Sequence, residues 1–218
     1  MSFIREVVEE TLPMWESSLS LPFVKGLADG TLDEELFKGY IIQDSIYLRE
    51  YAKVFAMAIF KSDRMTQIKE FYQLLGFIND TENVTRVKYL HKWGLDENQV
   101  DQMEQRRENL DYTRFMIETA QKEEVPEILM ATLPCMFSYV YIGLELIKRY
   151  PNIKESPYWD MVEEYVSPFC IESCNHWGEF SETFLAPLDG ERKLKLKGIF
   201  QEASRHEYRF WKMAGEKE

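Results

Sequence analysis

The sequence predicts an all-α protein, a bundle of six to eight helices, on three observations. Turn-formers are scarce, with 10 Gly and 8 Pro in 218 residues, which argues against the many short strands of a sandwich or barrel. Long stretches repeat apolar residues at spacings of three and four, as the buried face of a helix requires. No segment sustains strict alternation of apolar and polar residues. Aromatics reach 14%, and rings on many of the stripes give a bulky core with room for a pocket between helices.

The first helix is expected over residues 3–16, with Phe3, Val7, Val8, Leu12 and Trp15 on one stripe. A loop follows from Leu21-Pro22 through Gly26 to Gly30. Thr31 and Glu34 have capping-box spacing and open a long helix that runs to about residue 61. A third helix spans roughly 64–93 and stops at Gly94, and Asp96 caps a short segment beyond it. The remaining helices are expected near 109–122, 126–150, 156–185 and 191–213. Their joints carry Val125-Pro126, Ser156-Pro157 with proline at a first helical position, and Pro187-Leu-Asp-Gly190. There is no fixed-period repeat, low-complexity tract or flexible linker, so residues 1–218 read as a single domain. No apolar run approaches the roughly 18 residues of a membrane span. The N-terminus, with two adjacent glutamates, lacks a signal-peptide pattern.

Charge and rare residues exclude several functions. The 26 basic and 38 acidic residues leave a net charge of −12, a surface that repels nucleic acid and anionic lipid. Three cysteines, an odd number in a chain this long, point to free thiols in a reducing, cytoplasmic setting. The residues three before His91, His176 and His206 are Lys88, Ser173 and Ala203. The Glu-x-x-His pairs of di-iron bundles are therefore missing, and no metal site is expected. Glu172 and His176 are a near miss at four residues apart. His206 and Glu207, being adjacent on a helix, point about 100° apart and should not face one pocket.

The functional signal lies in polar residues on apolar stripes. The long second helix carries Phe37, Ile41, Asp44, Leu48, Tyr51, Phe55 and Ala58 on its inward face. Asp44 stands where an aliphatic residue belongs, and Tyr47 lies one turn on. The last helix repeats the anomaly, with Glu207 among Leu196, Ile199, Phe200, Ala203, Phe210, Trp211 and Ala214. A carboxyl in apolar surroundings has its pKa raised and can act as a general acid. A structural hydrogen bond would explain Asp44 alone and a salt bridge to Arg205 or Arg209 of a neighbouring chain or helix would explain Glu207 alone, but two such acids on helices far apart in sequence point to a shared polar site inside the bundle. Pro134 falls inside a helical pattern, where it bends or restarts the helix. Such a kink can aim the adjacent Cys135 into a cleft, with Tyr139 on the same face. Cys170 and Cys174, like any lone thiol, read first as small core residues.

These residues fall into five motifs in order along the chain. They are Gly30-Thr-Leu with Phe37, Tyr40-Ile-Ile-Gln-Asp44-Ser-Ile-Tyr47-Leu and Tyr51-Ala-Lys; Asp111-Tyr112-Thr113; Pro134-Cys135 with Tyr139 and Gly143; Tyr158-x-x-Met161-Val162-x-x-Tyr165 followed by Phe169; and Glu207-x-x-Phe210-Trp211-x-Met213-Ala214. Together they resemble the TenA family, also called thiaminase II, over nearly the whole chain. The resemblance implies a haem oxygenase-like bundle without haem, needing no cofactor and assembled as a homotetramer. It implies hydrolysis of aminopyrimidines in thiamin salvage, converting 4-amino-5-aminomethyl-2-methylpyrimidine, or thiamin, to 4-amino-5-hydroxymethyl-2-methylpyrimidine. On that pattern Cys135 is the nucleophile, Glu207 contacts a ring nitrogen and moves protons, and Asp44 binds the amino edge of the pyrimidine. Tyr47, Tyr112, Tyr139, Tyr165 and Phe210 line or order the pocket. Met161, Phe137-Ser138 and Arg86 depart from residues frequent in the family (Trp, Trp-Gly and His), and none is expected to touch the catalytic set. A non-catalytic regulator acting through a protein partner and a haem oxygenase-like oxidase are the competing readings.

Overall fold

The computed structural model describes residues 2–80 and 83–217. Their helices are α1 (Phe3–Ser18), α2 (Pro22–Asp29), α3 (Glu34–Phe60), α4 (Met65–Asp80), α5 (Asn83–Lys92), α6 (Glu97–Asp101), α7 (Arg107–Lys122), α8 (Val125–Arg149), α9 (Trp159–Tyr165), α10 (Pro168–Leu185) and α11 (Gly190–Ala214), with a 3₁₀ turn at Ile153–Glu155. No strand occurs among the described residues, in agreement with the all-α class.

Four local expectations are corrected. The stretch expected as a loop contains α2, because Pro22 starts a helix and Gly30, at φ +77°, closes it in a left-handed conformation. Thr31 does not cap α3. Its hydroxyl donates to Asp29, and the Asp33 carboxylate accepts from the Glu35 amide at 3.0 Å. The helix expected over 64–93 is two helices, and the joint at 81–82 lies outside the described residues. The helix expected over 156–185 breaks where Ser167 caps Cys170 and Pro168 restarts the chain. By contrast, Asp96 caps α6 as expected, in a reciprocal capping box with Gln99, while α8 runs through Pro134 without the restart that the proline suggests.

Helices α8 and α11 pack against each other at the centre, with α1 and α7 against α11, α7 and α10 against α8, and α3 against α4 and α7. The expectation about apolar runs is also corrected: α8 is long and apolar enough to cross a bilayer, but most of its apolar stretch is buried in this core. Fully buried Glu127 of α8 accepts two hydrogen bonds from Arg192 of α11, both 2.9 Å, which ties the central pair together. Gly143 lets α9 lie against α8: a Cβ there would stand 2.8 Å from the Val166 side chain and 3.3 Å from that of Tyr165. This close approach holds the end of α9 over the central helices.

Candidate active site

A cavity of about 60 Å³ opens among five helices. Asp44, with Ile41 and Leu48, enters from α3, and Thr85 and Arg86 enter from α5. Cys135, Met136 and Tyr139 come from α8, Met161, Glu164 and Tyr165 from α9, and Cys170, Ser173 and Cys174 from α10. The stripe on α3 is the reason Asp44 points inward: its neighbours Ile41, Leu48, Tyr51 and Phe55 are all buried. Burial pushes the Asp44 carboxyl up to about 6, against the pull of the Arg86 guanidinium.

Glu207, Tyr47, Tyr112 and Phe210 are buried and do not line this cavity. They form a layer directly behind Cys135. The Tyr112 hydroxyl donates to Glu207 Oε1 at 2.7 Å, and the Cys135 thiol hydrogen-bonds the same carboxyl. Arg205 and Arg209 pair with Glu202 instead, so no cation neutralises Glu207 from its own helix. Burial pushes Glu207 up to about 8, with the charge of Asp44 adding to the rise and the Tyr112 and Cys135 hydrogen bonds opposing it. At neutral pH Glu207 therefore keeps its proton and Asp44 is largely ionised, two carboxyls set to opposite states by their surroundings.

The tyrosines knit the layers together. Tyr47 packs on Tyr112 and edge-on to Phe210 with ring centroids 5.2 and 5.8 Å apart, and its hydroxyl donates to Met116 Sδ. Tyr139 and Tyr165 meet edge to face at 4.9 Å, and Tyr40 joins both through its hydroxyl at 3.3 and 3.0 Å. Burial raises the hydroxyl pKa of all five well above its ordinary value, so they remain protonated donors.

The structure thus gathers the other seven expected residues about Cys135, in two layers rather than around one open chamber. It also places residues that sequence reasoning left out. Cys170 and Cys174, read as core thiols, line the cavity beside Cys135, as do Thr85, Ser173 and Glu164. Of the three departures, Met161 and Arg86 are on the cavity wall and Ser138 is buried away from it. Arg86 shares the cavity wall with Asp44 and its charge acts on that carboxyl. His206 does not face the cavity. It stacks on Tyr112 at 5.1 Å, on the ring whose hydroxyl serves Glu207.

The donor set does not fit an iron centre. No histidine lines the cavity, and among the described residues no three His, Cys, Asp or Glu side chains are arranged to hold a metal ion. His176 bonds Glu70 at 2.7 Å rather than pairing with Glu172.

Comparison with known proteins bears on this arrangement. The model of the TENA/THI-4/PQQC family matches residues 9–217. The chain is 30% identical over 215 residues to an aminopyrimidine aminohydrolase of Halalkalibacterium halodurans, covering 98% of this chain and 96% of that one. A TenA homologue from P. horikoshii superposes with a TM-score of 0.87 at 26% identity, covering 98% of both chains. At 13% identity and a TM-score of 0.74, a Shewanella denitrificans domain with a heme oxygenase-like fold, covering 96% of this chain and 90% of that one, shares the architecture alone.

Proposed function

We propose, for a chain that belongs to the TENA/THI-4/PQQC family, that it is an aminopyrimidine aminohydrolase acting in thiamin salvage, with Cys135 as nucleophile and Glu207 as acid and base. The observation that carries this reading is the stacking order at the site. Cys135 stands between an acidic cavity and a buried carboxyl that holds its proton near neutral pH.

The chemistry follows from those positions. An aminopyrimidine is flat, and the rings of Tyr139 and Tyr165 offer it apolar walls. Ionised Asp44 accepts a hydrogen bond from the exocyclic amino group. The Cys135 thiolate adds to a ring carbon, and a ring nitrogen takes a proton from Glu207, so the ring stores the electron pair. That pair returns to expel the group on the exocyclic methylene, amine or thiazole, with the C–N electrons. Water then bonds to the methylene carbon and gives up a proton to Glu207, and the ring nitrogen releases its proton as the thiolate departs. Tyr112 and Tyr47 hold the Glu207 side of the thiol. The reading further takes residues 1–218 as one domain, assembled as a homotetramer in the cytoplasm and needing no cofactor.

Incubation with thiamin and with the aminomethylpyrimidine separately, followed by mass spectrometry, tests the assignment. Release of the hydroxymethylpyrimidine from at least one substrate is expected. Cys135→Ala should lower that rate by roughly three orders of magnitude with the helical circular dichroism unchanged. Full activity in the variant would refute the nucleophile, and release from neither substrate would refute the function.

A further inference from the structure

Glu164 takes no part in the chemistry above, yet it stands on the cavity wall. It occupies the last turn of α9, immediately before Tyr165, and its carboxyl is held by a hydrogen bond from the Thr85 side chain. With Asp44 it makes two carboxyls on a wall whose one basic side chain, among the described residues, is Arg86. Arg86 acts on Asp44, whereas the charges that act on Glu164 are those of two other acids, Asp44 and Asp160. Burial and these like charges push Glu164 up to about 7. The cavity therefore has a surplus of acid that a cation would relieve.

The aminomethyl substrate supplies one. A primary amine on a methylene is protonated near neutral pH and offers three N–H donors to a carboxylate. The thiazolium of thiamin is cationic too, but its ring nitrogen is fully substituted and donates nothing. It is also bulkier than an ammonium.

We propose that Glu164 is a specificity-determining residue of this site, its carboxylate receiving the ammonium of an aminomethylpyrimidine and so favouring an amine over a thiazole leaving group. The inference rests on the aminopyrimidine reading and names the part of the substrate that the wall of α9 selects. The ammonium departs as neutral ammonia, taking the C–N electron pair and keeping its three protons, while the Glu164 carboxylate stays ionised.

The test is the ratio of kcat/KM for the aminomethylpyrimidine to that for thiamin. Glu164→Gln removes the charge and should lower this ratio about tenfold or more, the size of one lost charge-assisted hydrogen bond. Glu164→Asp keeps the carboxylate and should hold the ratio within about threefold of the wild type. Should the Glu164→Gln variant fail to fold, Thr85→Val, which frees the carboxylate from its anchor, should lower the ratio in the same direction. A ratio unchanged in E164Q, or unchanged in T85V where E164Q does not fold, overturns the inference while the hydrolase assignment stands. Wild-type protein that releases product from neither substrate removes both.

Discussion

Replacing Glu207 with glutamine should stabilise the protein, and by an amount that grows with pH. Glu207 is 3% exposed and its pKa is raised from 4.5 to about 8. A group whose folded pKa is raised gives its full stability below the unfolded pKa and loses it as pH climbs towards the folded one. Between those limits the unfolded chain ionises and the folded chain does not, so unfolding is favoured by about 1.4 kcal/mol per pH unit. The folded protein therefore carries a penalty of about 1 kcal/mol at pH 5 and about 3 kcal/mol at pH 7. The glutamine side chain keeps an acceptor for Tyr112 and has no charge to lose, so the penalty disappears. Asp44 titrates in both proteins and cancels to first order. Urea unfolding of wild type and variant at pH 5 and pH 7, at one protein concentration, isolates the pH-dependent part, expected to be about 2.5 kcal/mol. An equal stability difference at the two pH values would refute the claim that Glu207 is buried as a neutral acid, whatever the variant does to activity.

Two further outcomes follow from the same structure. If catalysis needs Asp44 ionised and Glu207 protonated, kcat/KM is bell-shaped with limbs near 6 and 8 that belong to the coupled site. Arg86→Gln removes the cation that lowers Asp44, so its acidic limb should move to higher pH, and an unmoved limb would remove Asp44 from that role. Gly143→Ala drives a Cβ to within 2.8 Å of Val166. It should cost about 1–3 kcal/mol in thermal unfolding and lower kcat/KM by displacing Tyr165. A variant with wild-type Tm and rate would contradict the close approach of α8 and α9.

Sequence reasoning succeeds here where one helix can be read by itself. The stripes of α3 and α11 suffice to mark Asp44 and Glu207 as acids on inward faces: Glu207 is buried, and Asp44, half-buried, stands on the cavity wall. The misreadings fall where two elements must be related. Pro22 and Pro168 each start a helix, but a proline reads equally well as a loop or a pause until tertiary contacts choose. With α10 read as a continuation of the segment before it, the face carrying Cys170 and Cys174 cannot be assigned to the cavity. Arg86 and Glu164 lie on half-buried, polar helices whose periodicity is weak, and only the assembled bundle brings them opposite Asp44. No local pattern announces that Glu207 sits behind Cys135 rather than beside it, since that order depends on how α8 and α11 are packed.

Because the Cys135 thiol both lines the cavity and hydrogen-bonds the Glu207 carboxyl behind it, the thiol is also a door. A group attached covalently to Cys135, whether an alkylating reagent or an oxidised cap, would strand the Glu207 proton in the interior along with disabling the nucleophile. One lesion would silence two functional groups, and titration of the buried acid would then report whether the door is open.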